Sequence, residues 1–215
     1  MNIILASEVY PPRAGGAGWS TRALALGLRD AGHRVRIVTT SPGSEDLDGL
    51  EVTRLFAPGR KRIAVPRAFA ASLPKDSRHL IHAQHSLSAL GCLAGDDAAR
   101  VAVTVRDHWP VCFWSTRISQ GRLCPGCGIL PMTRCIQGRL PSPYGLGAIP
   151  YMRADLHEKR AALSRAGATL AVSEAIAAEL REAGIPRVEG IPNIVDPVET
   201  TALAGGDPSF PLPER

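Results

Sequence analysis

Short apolar runs alternate with segments of helical period along this chain, and that alternation limits the fold more than any other feature. Asn2–Val9 is largely apolar without a helical period and stops at Pro11 and Pro12, which predicts a buried strand. From Ser20, the positions Ala23, Leu24, Leu26 and Leu28 fit a helix that Gly32 ends. Val35–Thr39 and Glu51–Phe56 are the next strands, and Ile63–Leu73 a weak helix interrupted at Pro66. Leu80–Ala83 and Val101–Val105 read as short buried strands around a helix near Leu87–Ala94. Ala154–Ala166 is helical, Thr169–Val172 a strand, Ser173–Ala183 a helix capped by Ser173, and Val188–Ile191 a last strand. This order predicts an α/β, doubly wound, mostly parallel Rossmann-like sheet. Its ligands belong at the carboxyl ends of the strands, after Val9, Ala83, Val105 and Val172.

Composition narrows the class. With 45% hydrophobic residues the chain of 215 has enough apolar content to fold, and no apolar run approaches the roughly 20 residues that span a bilayer. Met1–Leu5 lacks the basic start of a secretory signal, so a cytoplasmic protein is expected. The net charge is +5, but aromatics make up only 5% of residues, and no basic stripe alternates with them. Nucleic acid is therefore not an expected partner. Residues 107–150 carry four of the five cysteines and no sustained periodicity. A loop of that length needs something to hold it.

Gly16-Ala17-Gly18 after the first strand resembles a dinucleotide fingerprint and fails as one. Thr21 stands at the third glycine position, and no acid ends the second strand to hold a ribose. Glycines before a helix still offer backbone amides to a phosphate. The plain alternative is a strand-to-helix turn.

Several segments, in order, carry a resemblance. They are Ile4–Tyr10 with Pro12 and Gly15-Gly16; Leu24–Val35; Leu80–His85; Val103–Trp109; and Leu170–Glu174 through Ile191–Asn193. Together they resemble the N-terminal lobe of a retaining glycosyltransferase of family 4, whose GT-B fold sets two Rossmann-like lobes face to face. The resemblance implies an acceptor-side domain over residues 1–196, with a cysteine-rich insertion at 108–150. Residues 197–215 would be a linker toward a C-terminal donor-binding lobe, Leu212–Arg215 resembling the stretch just before it. It implies hexosyl transfer from a nucleotide-diphosphate sugar to the hydroxyl of a carbohydrate or lipid-linked acceptor, with the isolated chain inactive.

In that family the glycine loop, here Gly15, Gly16, Ala17 and Gly18, lies near the donor diphosphate and the acceptor. A His-Asp pair follows the fifth strand at the reaction centre. Its His falls on Arg106, its Asp on Asp107, and His108 replaces an aromatic. Either His108 serves instead, or Arg106 supplies charge to a developing phosphate or to the acceptor; a structural Arg106–Asp107 ion pair is the plain alternative. His85 is expected to line the cleft and His82 to pack inside. Ser173 joins the expected binding residues, and Asn193 resembles the hinge between lobes. The family's Glu-x7-Glu donor motif is mimicked by Glu174 and Glu182, but they lie with Glu179 on an amphipathic helix and read as a solvated face.

Cys112, Cys124, Cys127 and Cys135 have the spacing C-x11-C-x2-C-x7-C, which suits a closed structural zinc site. Iron–sulfur ligation and unligated or disulfide-bonded cysteines are the alternatives. Some family members resemble this chain in carrying cysteines after the Asp-x-Trp segment, a cysteine-containing subgroup. Cys92 stands apart and reads as a core residue. Arg60, Lys61 and Arg62 are candidates for peripheral contact with an anionic membrane. The rival from another class is a non-enzymatic, zinc-stabilised Rossmann-like binding or partner domain.

Overall fold

The computed structural model describes residues 1–12, 15–43, 46–57, 59–74, 78–95, 97–139 and 143–193. The expected linker at 197–215 lies outside them.

The strands are β1 (Asn2–Ser7), β2 (Arg34–Thr39), β3 (Asp46–Leu47), β4 (Leu50–Arg54), β5 (His79–Ala83), β6 (Val101–Val105), β7 (Ile118–Ser119), β8 (Arg122–Leu123), β9 (Ala168–Ala171) and β10 (Val188–Gly190). The helices are α1 (Gly16–Asp30), α2 (Lys61–Ser72), α3 (Ser86–Cys92), α4 (Ile129–Arg139), α5 (Ile149–Arg165) and α6 (Glu174–Glu182), with short 3-10 turns at Ala98–Arg100 and Pro143–Ala148. The main sheet has the order β10-β9-β6-β5-β1-β2-β4-β3. All its pairings are parallel except β3 against β4 at one edge. The expected doubly wound, mostly parallel Rossmann-like sheet is present.

Alternation along β1 explains the double burial. Ile3 and Leu5 point to the face covered by α1, where they join Tyr10, Ala25, Val35, Ile37, Leu50 and Val52. Ile4 and Ala6 point to the other face and join the larger core of Val65, Phe69, Ile81, Leu93, Val103 and Leu163. A strand buried on both sides has no polar face, hence its nearly unbroken apolar sequence. Gly32 ends α1 at φ +83°, donating to Arg29, a conformation that a side chain would strain.

Three expectations need correcting. Helix α2 runs through Pro66, because Val65 and Phe69 anchor it in the core on either side. Helix α5 starts at Ile149 rather than Ala154, since Pro150 in the first turn suits a helix start. The segment from 107 to 148 is not a structureless loop. It holds the β7–β8 hairpin and α4, and closes a small core of its own. Met132 and Ile136 from α4 meet Met152 and Leu156 from α5, with Phe113 and Trp114 packed against them. These apolar residues are spread too thinly along the sequence to show a period.

Candidate active site

Strand β1 pairs with β2 on one side and β5 on the other, so the chain's winding reverses there and a crevice opens at the carboxyl ends. Two acceptor groups line it first. Glu8, just past β1, accepts from the backbone N–H groups of Leu87 (2.7 Å) and Ser88 (3.3 Å) at the start of α3. Burial pushes the Glu8 carboxyl up, against the pull of those two bonds. His85 faces Ser7, its Nδ1 lying 3.3 Å from Ser7 Oγ. Ser7 Oγ donates to Val9 O at 2.6 Å, and His85 stands at the N-cap of α3. Burial, helped by the positive charges of Arg106 and Lys61, lowers the His85 pKa to about 4. At neutral pH it is an uncharged imidazole.

Arg106 leaves the end of β6 and joins three other parts of the fold. Its Nη1 donates to Ser20 Oγ on α1 (3.2 Å) and to Asn193 Oδ1 beyond β10, and its Nη2 donates to Gln84 Oε1 beyond β5 (2.6 Å). Burial lowers its pKa. A cavity of about 170 Å³ lies beside it, with a mostly apolar lining that includes Leu24, Leu170, Val172 and Ile191, and with Ser20, Gln84 and Asn193 among its polar members. His82 borders the same cavity from inside the sheet, where it is buried with Nε2 2.7 Å from Thr104 Oγ1. It packs as expected.

Asp107 and His108 are turned elsewhere. Asp107 Oδ1 accepts from Trp109 N at 2.8 Å, and burial pushes the carboxyl up. A structural Arg106–Asp107 pair finds no support, since the three oxygens that Arg106 meets are neutral. His108 Nδ1 donates to Glu179 Oε2 at 2.7 Å, and Arg117 Nη1 lies 2.5 Å from Glu179 Oε1. Glu179 is therefore not part of a solvated face: it holds the turn after β6 against α6. The expectation stands for Glu174, whose carboxylate is largely exposed and meets Arg181.

The glycine loop opens onto solvent. Gly15 caps α1 at φ −79°, and a Cβ added to Gly15 or Gly16 would meet nothing within 4 Å. The fold itself does not require glycine at either position. Gly18 and Trp19 donate back to Gly15 O, and no acidic side chain occupies the first turn with Ala17. Ser173 accepts from Ile176 N at 3.3 Å, so its oxygen serves as the cap of α6. The structure thus gathers Arg106 and Asn193 into one cluster and sets Asp107, His108 and Ser173 to local work. Ser20, Gln84, Glu8 and Glu179 had no sequence motif; for Glu8 and Gln84, position just past a strand was the available signal.

The cysteines do not assemble as a ligand set. Among the described residues, no group of three or more His, Cys, Asp or Glu side chains is placed to hold a metal ion, so the expected zinc site finds no support. What comes together is a pair. Cys112 and Cys127 share a hydrogen bond, which with the backbone N–H groups of Arg117, Trp114 and Thr116 lowers the Cys112 pKa. Cys124 Sγ turns to Gly126 O at 3.4 Å, and Cys135 sits on α4. Cys92 is buried in the main core as expected, and burial pushes its thiol up to about 12. Of the three basic candidates for membrane contact, Arg62 is engaged with the buried Asp155 and lies over the Tyr151 ring (5.2 Å). Among the described residues, no helix is long and apolar enough to cross a membrane.

A parallel sheet with its crevice at the winding reversal, and a polar cluster at the strand ends, defines a Rossmann-like α/β domain. Residues 14–199 match Glycosyltransferase Family 4, and the chain belongs to that family. Two solved structures share the fold. Sucrose-phosphate synthase from Thermosynechococcus elongatus is 19% identical with a TM-score of 0.56, covering 89% of this chain and 48% of its own. HepE from Anabaena, in complex with UDP, is 16% identical with a TM-score of 0.52, covering 94% and 49%. The chain thus spans about half the length of either. No curated protein matches it.

Proposed function

We propose that this chain is the acceptor-side, N-terminal lobe of a retaining hexosyltransferase that uses a nucleotide-diphosphate sugar and acts in the cytoplasm. In the reaction, the bond from the sugar's anomeric carbon to the diphosphate oxygen breaks, and a bond to an acceptor hydroxyl oxygen forms. The hydroxyl proton leaves with the departing phosphate or a nearby base. The observation that carries this reading is the Arg106 cluster, which draws α1, β5, β6 and the exit from β10 together at the carboxyl ends of the strands. UDP bound to HepE supports a nucleotide-linked donor. The cysteines are free, which suits a reducing compartment.

Within this reading, Gly15, Gly16 and Ala17 present amides to the donor phosphate, whose approach the open space above Gly15 and Gly16 admits, while the buried Gly18 closes the first turn of α1 onto Gly15 O. The His85 imidazole meets an acceptor hydroxyl. Asp107 and His108 handle the proton, each steadied by the bonds described above. Ser173 orients α6 beside them, and Asn193 is the hinge. A facing lobe supplies the remaining donor contacts. Lipid-linked acceptors extend the reading: Arg60 and Lys61, beside the exposed Ile63 and Tyr151, border a groove of about 1100 Å³ next to Arg62. Liposome co-sedimentation that is indifferent to salt overturns that extension.

The test is nucleotide release from UDP- and GDP-hexoses by the complete open reading frame. Turnover is expected, and Asp107→Asn should reduce kcat about a hundredfold or more. Full activity in the variant overturns the assignment of Asp107. No turnover with any donor, in a folded protein, favours a non-enzymatic binding domain.

A further inference from the structure

Arg106 is a half-buried cation whose hydrogen-bonding oxygens are all neutral. Its Nη atoms reach the Ser20 hydroxyl, the Gln84 amide and the Asn193 amide, none of which carries charge. Its Nε–H is buried and has no hydrogen-bond partner. Gln84, fully buried, has turned its amide oxygen toward Arg106, and its Nε2 is likewise buried without a partner. Two residues that carry orphaned donors, one of them an uncompensated guanidinium, thus line one cavity.

Withdrawing a cation from water even in part, without a counter-charge, is unfavourable, and a fold that does so normally supplies a carboxylate. Here two acids that follow neighbouring strands are in use: Glu8 caps α3, and Asp107 accepts from Trp109. The surroundings add positive potential, with the N-terminus of α1 starting four residues before Ser20 and Lys61 close enough to act on His85. What the site lacks is an anion, and a bound molecule would have to bring it.

We propose that this cavity binds the anionic group of an acidic acceptor, a sugar or polyol bearing a carboxylate or phosphate. The inference rests on the reading of the chain as an acceptor-side lobe. At about 170 Å³ the cavity is below the roughly 300 Å³ of ordinary ligand pockets, a size for an ionic head and its nearest atoms. A guanidinium matches carboxylate and phosphate oxygens in a forked, two-bond geometry that the neutral amides do not fill. The anion would take N–H groups now given to Gln84 and Asn193. Arg106 then fixes which acceptors enter, a role an imidazole at this position would fill only when protonated.

The experiment is calorimetric titration of the protein with glucuronate, glucose 6-phosphate and glucose, with and without saturating UDP. Both anionic sugars should bind, and glucose at least tenfold more weakly. UDP should leave the anionic sugars' affinity unchanged. Competition by UDP would assign the anion site to the donor diphosphate and overturn the proposal, as would equal binding of glucose. Arg106→Gln should weaken the anionic sugars at least tenfold. Because Arg106 ties several elements together, a second variant guards against misfolding. Gln84→Glu places a carboxylate beside Arg106 at constant size, and should raise the melting temperature while abolishing anion binding. If Gln84→Glu lowers the melting temperature and binding persists, Arg106 is not short of a counter-charge and the proposal fails. Binding needs no turnover, so loss of the transferase reading would appear separately, as anion binding without nucleotide release.

Discussion

At the scale of single residues, the charge on Arg106 reaches the histidines around it. Burial first, and Arg106 second, lower the His82 pKa from 6.5 to about 4. The native pKa lies below the unfolded one, so the unfolded chain binds the proton more readily between those values. Stability is complete above about pH 6.5 and is lost as pH falls toward 4, by about 3 kcal/mol in all for His82. His85 adds to the loss over the same window. Urea unfolding at pH 7.5 and 4.5 checks this: His82→Gln should start less stable, for want of the Thr104 contact, yet lose less on acidification. Equal losses in variant and wild type sink the assignment. Much of this was legible in the sequence, because His82 alternates with its strand neighbours and must face the core. Glu179 was not. Its helix spacing is that of a solvated face, and only the turn carrying His108 and Arg117, which comes from more than sixty residues earlier, buries it.

Between elements, α3 and α2 approach closely. A Cβ on Gly91 would lie 2.8 Å from Phe69 Cβ and closer still to the Pro66 carbonyl, both in the middle of α2. Gly91→Ala therefore forces the helices apart and should cost about 1–3 kcal/mol. Gly27 in α1 is the matched control, since a Cβ there meets nothing within 4 Å. Gly27→Ala should stabilise by up to about 1 kcal/mol through helix propensity alone. Thermal unfolding of the two variants should move in opposite directions; a shared direction refutes the packing argument. The order of the main sheet could be read from periodicity because its central strands are buried and helices such as α1 and α6 each have one apolar side. The 107–148 segment could not. Its order comes from α5, which supplies half of its small core from beyond the segment, and local pattern carries no trace of a partner so far along the chain.

Across the whole molecule, every long strand ends on the same side as its parallel neighbours, so the groups proposed for chemistry share one face. Among the described residues, no second lobe meets that face. Residues 1–215 alone should therefore bind an acidic sugar yet release no nucleotide from any hexose donor, which calorimetry and a nucleotide-release assay on the same sample will check. Nucleotide release by residues 1–215 would move the whole catalytic centre into this lobe. The bond from Arg106 to Asn193 gives the same face a second property. Asn193 is where the chain leaves the sheet after β10, and one N–H of Arg106 holds it. An incoming anion competes for that N–H, so cargo and chain exit draw on one shared donor. Loading the site and slackening the exit become a single exchange, and a spectroscopic label near Asn193 would report it as a change of mobility on adding an acidic sugar.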